Sequence, residues 1–327
     1  MKEYKWGIIG CGHIANEMAE AFAQKGRSFS GVCSRTRERA EAFAGKYGIE
    51  KVYSSADELF SDSDIDIVYI AVPHNRHIEY ILEAAKHKKH VLCEKAVTLN
   101  SDELEAGIAA CMENGVILAE AMTVYHMPVY AEVSGYIKRG ELGRLKMIEV
   151  NLGSNKDYDM TNRFFNPELA GGAMLDIGVY ALSFARYFLS ENATEIKSTV
   201  KLAPTGVDEQ ALMLLNNSYG EMASVTLSLT AKLPRTATVS FEKGYVEFDN
   251  YNRSRRAVIT FLDGREPVTL TSNSDVSVLT YEIDDMEKSV SGENVMRLDL
   301  TKDVMDMMTR TRKEWGVIYP EERSRKW

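Results

Sequence analysis

The sequence predicts an α/β protein: an N-terminal doubly wound parallel sheet followed by an α+β domain with a large, open, mostly antiparallel sheet. Three observations predict it. Short apolar runs alternate with helical patterns from Lys5 onward, a glycine-rich turn follows the first run, and longer extended segments replace the alternation after Met122. A chain of 327 residues is long enough for two cores, so we expect domains at residues 1–122 and 123–327.

The first domain contains five β-rich segments separated by four helical ones. The strands are KWGIIG, FSGVCS, DIDIVYIAVP, KHVLCEK and VILAEAM, and the helices are IANEMAEAFAQ, TRERAEAFAGKYG, HIEYILEAAKHK and NSDELEAGIAACMENG. This alternation implies a parallel sheet covered on both faces. Ligands of such sheets bind beyond the carboxyl ends of the strands.

The second domain begins with a helical stretch and continues with eight extended segments. The segments are RLKMIEVNLGS, EIKSTVKLA, DEQALMLLNNS, GEMASVTLSLTA, RTATVSFEKG, YVEFDN, RRAVITFLDG and PVTLTS. Turn signals such as Lys-Gly and Asp-Gly connect several of them, which predicts a mostly antiparallel sheet of six or more strands. Helices of this domain cover one face, and we expect the other to form a homodimer surface.

Composition narrows the possible partners and compartments. A net charge of −9 gives no basic footprint for nucleic acid. We see no apolar run of about 18 residues and no signal-peptide pattern, and therefore expect neither a membrane partner nor export. For the same reason we expect a cytoplasmic protein. The four cysteines lack Cys-x-x-Cys spacing and suit reduced, buried thiols better than disulfides or zinc.

The first predicted strand ends in GCGHIA, Gly10 to Ala15, directly before a helix. In that context Gly10 permits a tight turn, Gly12 lets the backbone approach a pyrophosphate, and a small residue at the end lets the helix pack closely. His13 and Ile14 begin the helix, whose N-terminus offers free N–H groups to phosphates. The pattern predicts a dinucleotide site; the alternative is a tight turn and nothing more.

The end of the second strand selects the form of the dinucleotide. NAD-binding proteins favour an acidic residue about 20 residues after the glycines, because a carboxylate binds the ribose hydroxyls. This chain has Ser34 and Arg35 there, with Arg39 close behind. Hydroxyl and guanidinium groups bind a 2′-phosphate, which favours NADP, with NAD possible. The alternative is that the arginines are a solvated helix start.

Histidines cluster after the third strand without predicting a metal site. Pro73, His74 and His77 follow its carboxyl end, where they would line the nicotinamide half of the crevice. His87 and His90 flank the opposite end of the next strand, so the four histidines are not expected to converge. We expect no metal.

The fourth strand ends in the charged pair Glu94 and Lys95, where nicotinamide and substrate would meet. A lysine there can hold a substrate hydroxyl and keep a neighbouring acid–base group poised. The alternative is a solvated salt bridge.

The helix predicted from Gly171 to Leu189 is apolar nearly all round, yet polar residues form one stripe along it. Its members are Asp176, Tyr180, Ser183 and Tyr187. A buried polar stripe needs partners or a purpose. Asp176 and Tyr180 are therefore candidate site residues; the alternative is a capping carboxylate and a core tyrosine.

As a set, these residues resemble the Gfo/Idh/MocA family of glucose–fructose oxidoreductases and inositol dehydrogenases. The resemblance rests on GIIGCGHIA, AVPHNRHIEYILEAAKHKKHVLCEKA and RFFNPELAGGAMLDIGVYAL, and the last segment is similar to the branch of dimeric dihydrodiol dehydrogenases and NADP-dependent xylose dehydrogenases. It implies a Rossmann domain, a large sheet often used for dimerisation, and hydride transfer between NAD(P) and a carbinol carbon of a sugar, polyol or diol.

The resemblance also implies roles for individual residues. Lys95 matches the lysine of the family's Glu-Lys-Pro motif, Glu94 its glutamate near the cofactor, and His77 the histidine that opens the third-strand helix. Asp176 and Tyr180 match an Asp-x-x-x-Tyr pair. The motif proline is replaced by Ala96, which we expect to loosen the turn that positions the lysine.

From these roles we hypothesise that Tyr180 exchanges the proton of the substrate oxygen. Lys95 would stabilise developing alkoxide charge and lower the pKa of the tyrosine, and Asp176 would orient either a substrate hydroxyl or the lysine. The substrate end would also draw on Tyr125, Asn155 and Arg163; the alternative for the last two is an exposed polar loop. Two other functions remain open: an NAD-dependent glycosidase of the same fold, and a non-catalytic dinucleotide sensor.

Overall fold

A computed structural model describes residues 3–273 and 275–325 of the chain. These residues form two compact units. The first contains residues 3–121 and 275–298, and the second contains residues 122–273 and 299–325. The chain leaves the first unit after Ala121, close to the predicted boundary, but it returns for residues 275–298, which the sequence placed in the second domain.

The first unit is built on a six-stranded, wholly parallel sheet in the order β3-β2-β1-β4-β5-β6. Its strands are β1 (Trp6–Ile9), β2 (Gly31–Cys33), β3 (Lys51–Val52), β4 (Ile67–Ile70), β5 (His90–Glu94) and β6 (Leu118–Ala121). The predicted doubly wound parallel sheet is confirmed. β3 was missed because two residues are too short to show a period.

Five helices connect these strands: α1 (His13–Gln24), α2 (Arg37–Tyr47), α3 (Ala56–Ser61), α4 (His77–Lys86) and α5 (Ser101–Glu113). Two begin at side-chain caps that satisfy an otherwise unpaired N–H group. Ser55 Oγ accepts a hydrogen bond from Glu58 N at 3.1 Å, and Asn100 Oδ1 accepts one from Glu103 N at 2.9 Å. The short α3 is the one helix of this stretch that periodicity did not predict.

The second unit opens with α6 (Pro128–Lys138) and β7 (Leu145–Gly153), and α7 (Val179–Phe188) follows. The remaining strands are β8 (Glu195–Leu202), β9 (Asp208–Asn216), β10 (Met222–Ser228), β11 (Thr236–Phe241), β12 (Gly244–Asp249), β13 (Arg256–Phe261) and β14 (Val268–Thr271). They form an eight-stranded sheet in the order β14-β13-β12-β11-β7-β10-β9-β8. β7 and β10 pair in parallel and the other neighbours are antiparallel, as predicted.

One face of this sheet is covered and the other is open near β9. Alternate residues of β9 point to opposite faces. Met213 is buried, whereas Leu212 and Leu214 on the other face remain 53% and 54% exposed. Among the described residues, this face of β9 therefore exposes apolar side chains; that it forms a dimer surface stays a prediction.

The last helices are α8 (Leu279–Val290), α9 (Leu298–Trp315) and α10 (Pro320–Ser324). α8 belongs to the first unit, where it packs on α1: Trp6 Nε1 donates to Glu287 Oε1 at 2.8 Å, and Lys25 Nζ lies 2.6 Å from Asp284 Oδ1. α8 therefore follows the last strand in sequence but belongs to the first unit, whereas the predicted domain of residues 123–327 includes it.

One stretch of the chain, Pro167–Phe188, is long and apolar enough to cross a membrane by length and composition alone. This corrects the expectation that the sequence contains no such run. Within its most apolar part, 78% of this stretch is buried inside the protein, which is typical of a core helix.

Candidate active site

The glycine turn after β1 forms the cradle that a dinucleotide phosphate needs. Gly10 has φ +106°, and a side chain there would clash with the carbonyl of Ala71, so only glycine fits. At Gly12 no described atom lies within 4 Å of where a Cβ would be, which leaves open space over the turn. α1 starts at His13, and no side-chain cap occupies its N-terminus. The turn therefore fits a pyrophosphate.

The two predicted residues that begin α1 differ in exposure. The His13 side chain is 91% exposed, with Nε2 3.0 Å from Glu17 Oε1, and Ile14 is half-buried. Their backbone N–H groups lie in the first turn of the helix, where orphan donors are available to an anion. Whether they hold the cofactor stays a prediction.

The ends of β1 and β2 bring together three side chains beside this turn. Burial raises the pKa of the Cys11 thiol, while a hydrogen bond with Ser34 and the charge of Arg39 act in the opposite direction, which places all three close together. Arg37 is held by Glu41 at 2.8 Å. Arg35 and Arg39 are exposed, and across residues 3–273 and 275–325 neither has a carboxylate within ion-pair distance.

His77 is fully buried at the start of α4, after the short turn that carries Pro73 and His74. Its Nδ1 lies 3.0 Å from the carbonyl oxygen of Ala96, and its Nε2 lies 2.8 Å from that of Val72. Burial lowers the pKa of the ring, so it is neutral and donates to one of these oxygens at a time. His77 is placed to anchor backbone.

The other histidines lie in separate surroundings. His74 packs edge-on against His77, with ring centroids 5.7 Å apart, whereas His90 Nδ1 accepts a hydrogen bond from Ile117 N at 3.1 Å. His87 Nε2 lies 3.4 Å from both Asp57 and Glu83 on the exposed side of α3 and α4. Glu83 is also paired with Lys86 at 2.9 Å, so we infer no cation site from this group.

The charged pair at the end of β5, Glu94 and Lys95, is partly withdrawn from solvent. Glu94 is buried and accepts a hydrogen bond from the Tyr69 hydroxyl. Burial, with the charge of Glu94 adding to it, raises the pKa of Tyr69 well above its usual value, so the hydroxyl keeps the proton that it donates. Lys95 is half-buried, and its charge contributes to the low pKa of His77 after burial itself.

The turn after Lys95 is held from two sides although it lacks the motif proline. The Lys95–Ala96 peptide is cis. The carbonyl oxygen of Ala96 faces His77, and Val97 N donates to the buried Glu120 Oε1 at 3.1 Å. The expectation of a loosened turn is therefore not supported, because side chains from α4 and β6 supply the bonds.

In the second unit, Asp176 and Tyr180 lie on the helical segment that follows the Gly171-Gly172 turn. The predicted continuous α-helix instead begins with a π-helical turn, Met174–Gly178, before α7. Asp176 and Tyr180 are half-buried, whereas Ser183 is fully buried. Tyr187 is also half-buried, so the polar stripe is accessible at both ends and fully buried only at Ser183.

The predicted substrate residues fall into two groups. Arg163 lies near Asp176, with Nη2 3.5 Å from Oδ1, and its guanidinium stacks on the Phe164 ring at 4.3 Å. Asn155 is exposed on the same loop. Tyr125 is buried instead, and its hydroxyl donates to Ser183 Oγ at 3.0 Å. The structure thus brings Arg163 to Asp176 and places Tyr125 in the core.

Sequence reasoning missed Asp208, a fully buried carboxylate on β9. Met174 N, in the first turn of the segment that carries Asp176, donates to Asp208 Oδ2 at 2.6 Å. The acidic pair Asp208-Glu209 beginning an otherwise apolar strand was the available signal.

Comparisons with known proteins agree with this architecture. Residues 4–122 match the family model described as "Oxidoreductase family, NAD-binding Rossmann fold", and residues 130–247 match "GFO/IDH/MocA C-terminal domain". Trans-1,2-dihydrobenzene-1,2-diol dehydrogenase of Xenopus laevis is 29% identical over 334 residues, covering 97% of this chain and 99% of that one. The scyllo-inositol 2-dehydrogenase (NADP(+)) of Bacillus subtilis is 29% identical over 333 residues, covering 98% and 99%.

Solved structures share the fold. An aldose–aldose oxidoreductase from Caulobacter crescentus, complexed with glycerol, has a TM-score of 0.85 at 24% identity and covers 96% of this chain and 98% of that one. A 3-ketoreductase from Actinomadura kijaniata, in complex with NADP and TDP-benzene, has a TM-score of 0.82 at 23% identity and covers 94% and 96%.

Proposed function

The chain belongs to the Gfo/Idh/MocA oxidoreductase family, and from this membership we propose that it transfers a hydride between NADP(H) and a carbinol or carbonyl carbon of a diol, polyol or sugar. The observation that carries the proposal is the placement of Asp176 and Tyr180: two half-buried polar side chains at the start of a helical segment that is otherwise largely buried. Such a pair suits proton exchange with a substrate hydroxyl.

Three side chains carry the proposed chemistry. The nicotinamide, when bound, supplies or accepts the hydride. Tyr180, as the phenolate, takes the proton of the substrate hydroxyl in oxidation, and the resulting phenol returns a proton to the substrate oxygen in reduction. Lys95 stabilises the negative charge that develops on the substrate oxygen, and Asp176 orients the substrate hydroxyl with help from Arg163.

The residues at the ends of β1 and β2 support NADP over NAD. A 2′-phosphate would meet the hydroxyl of Ser34 and the guanidinium groups of Arg35 and Arg39, which have no carboxylate partner in the described part of the chain. Charge-assisted hydrogen bonds from guanidinium groups are the strong phosphate contacts in proteins. The NADP(+)-dependent relative from Bacillus subtilis is consistent with this choice.

The open sheet face supports a homodimer. Leu202, Leu212, Leu214 and Met222 are all more than 40% exposed on β8, β9 and β10. Exposed apolar side chains on three neighbouring strands are typical of an interaction surface. The four cysteines are free thiols, and we place the dimer in the cytoplasm. Light scattering of the purified protein tests the assembly, and Leu212→Glu with Leu214→Glu is the variant expected to dissociate it.

The test of the function is a titration with NADPH and with NADH, followed by vicinal diols, inositols and aldoses with NADP⁺. A net rise in reduced-nicotinamide absorbance identifies a dehydrogenase. A glycosidase of the same fold regenerates its cofactor and gives no net change, although it consumes a glycoside. A sensor binds the dinucleotide but neither changes the absorbance nor consumes a glycoside.

A further inference from the structure

Asp208 lies beneath the segment that carries the proposed acid–base pair. Its carboxylate is fully buried, and Oδ2 accepts a hydrogen bond from Met174 N at 2.6 Å. The backbone N–H of Ala173 bonds to the same side chain. These are the first N–H groups of the helical segment, which have no partner within the helix itself. A carboxylate from a neighbouring strand therefore caps this segment.

The fit between this carboxylate and the Gly171-Gly172 turn is close. Gly172 has φ +122°, and a side chain added there would clash with Asp208 Oδ1. Oδ1 itself has no hydrogen-bond partner among the described residues. The turn thus needs a glycine both for its backbone conformation and for the space that Asp208 occupies.

The groups facing Asp208 come from the C-terminal elements of the same unit. Arg312 of α9 is buried, adds a favourable charge, and is bonded to Glu322 of α10 through two contacts of 2.9 and 3.0 Å. The Tyr319 ring lies under the Arg312 guanidinium, 4.7 Å away, and its hydroxyl donates to Gly171 O at 2.6 Å. Asp208 is therefore enclosed by one cation, one phenol and the helical N-terminus.

We propose that Asp208 is a positioning residue for the reaction: it fixes the first turn of the segment from which Asp176 and Tyr180 project. This inference rests on the proposed function. Asp176 follows Met174 by two residues, within the π-helical turn, and Tyr180 follows by six. A shift of the first turn would therefore move both side chains together, and misplacement of reacting groups by about 1 Å can cost roughly a hundredfold in rate.

The experiment compares Asp208→Ala, Asp208→Asn and the control Glu209→Gln. Glu209 is the next residue of β9 and is equally buried, but its carboxylate is bonded to Tyr158 at 2.8 Å and Lys201 at 2.7 Å. Two quantities are measured: amide hydrogen exchange over residues 173–182, and kcat and KM for NADP⁺-dependent oxidation of trans-cyclohexane-1,2-diol.

We expect Asp208→Ala to accelerate exchange over residues 173–182 and to lower kcat roughly tenfold to a hundredfold, with KM changed less than about threefold. Asp208→Asn keeps an oxygen acceptor for Met174 N, so it should restore most of the slow exchange and most of kcat. Glu209→Gln should match the wild type in both. Gly172→Ala, which crowds the same carboxylate, should resemble Asp208→Ala if that variant does not fold.

Unchanged exchange over residues 173–182 in Asp208→Ala, or an equal acceleration in Glu209→Gln, would overturn the inference. So would normal kcat alongside accelerated exchange. A wild-type enzyme that oxidises no diol, polyol or sugar refutes the proposed function instead, and the exchange data then decide whether Asp208 holds the segment.

Discussion

The Nδ1 atom of His77 lies 3.0 Å from the carbonyl oxygen of Ala96, the residue directly after Lys95. A fully buried ring from the start of α4 thus holds the turn that follows the proposed catalytic lysine. Val97 N, bonded to Glu120, fixes the same turn from the other side. The backbone that presents Lys95 is therefore defined by side-chain bonds rather than by a proline ring.

His77→Ala should destabilise the first unit and impair the lysine. Removing the ring leaves a buried carbonyl without its donor, which typically costs about 1–3 kcal/mol. Urea denaturation should show this loss, and kcat should fall because the turn after Lys95 is less well held. His77→Asn, which supplies an N–H near the position of Nδ1, should recover part of the stability. A variant His77→Ala as stable as the wild type would show that the contact does not hold the turn.

Tyr180→Phe should remove most turnover and spare cofactor binding. Loss of general acid–base catalysis typically lowers the rate by about 10²–10⁴-fold. The matched control is Tyr187→Phe, a half-buried tyrosine seven residues further along the same helix, whose hydroxyl lies 3.3 Å from Ser134 Oγ. Stopped-flow absorbance measures the rate of turnover, and the Kd for NADPH measures cofactor binding separately. Near-normal turnover in Tyr180→Phe would contradict the role that we propose for the tyrosine.

Arg39→Ala should weaken NADPH binding without affecting NADH. A charge-assisted hydrogen bond is worth about 1.5–3 kcal/mol, which corresponds to about tenfold or more in Kd. Arg37→Ala is the control, because the structure pairs that arginine with Glu41 at 2.8 Å. Fluorescence titration measures the affinities of the wild type and of both variants for NADPH and for NADH. Equal weakening for NADPH and NADH, or a larger effect in Arg37→Ala, would count against a 2′-phosphate site here.

The stability of the protein should respond to pH through Asp208. Burial raises the pKa of this carboxyl from 3.8 to about 7, so between these values the folded chain binds a proton that the unfolded chain releases. Its contribution therefore favours folding at low pH and is lost as pH rises towards 7. Each step of one pH unit within this range lowers the free energy of unfolding by up to about 1.4 kcal/mol.

Asp208→Asn removes this titration. Urea denaturation of both proteins at several pH values gives the difference in free energy of unfolding, wild type minus Asp208→Asn. This difference should fall as the pH rises from 5 to 8. Parallel curves over that range would show that Asp208 does not titrate with a raised pKa.

The sequence predicts much of this fold because the relevant signals are local. The glycine turn at Gly10 and Gly12, the alternation of short strands with helices, and the turn residues between the longer strands each depend on neighbours in the chain. β3 has two residues and leaves no period. α8 is plainly amphipathic, but a helical pattern does not say which sheet the helix covers.

Some residues of the candidate site are likewise indicated by local sequence patterns, and others are not. Asp176 and Tyr180 share one helical segment, so their spacing was readable. Asp208 was missed because Met174, its partner, lies 34 residues away along the chain, and no local pattern encodes that bond. The π-helical turn Met174–Gly178 was likewise invisible, since its residues fit an α-helical pattern equally well.

The proposed reaction is a hydride transfer from a carbinol carbon to NADP⁺. Its most direct test is incubation of the wild-type protein with NADP⁺ and trans-cyclohexane-1,2-diol deuterated at both carbinol carbons, followed by mass spectrometry of the reduced cofactor. We predict that the reduced nicotinamide carries one deuterium for each diol oxidised, and that Tyr180→Phe forms little of it. Diol consumed with no deuterium in the cofactor would rule out this hydride transfer.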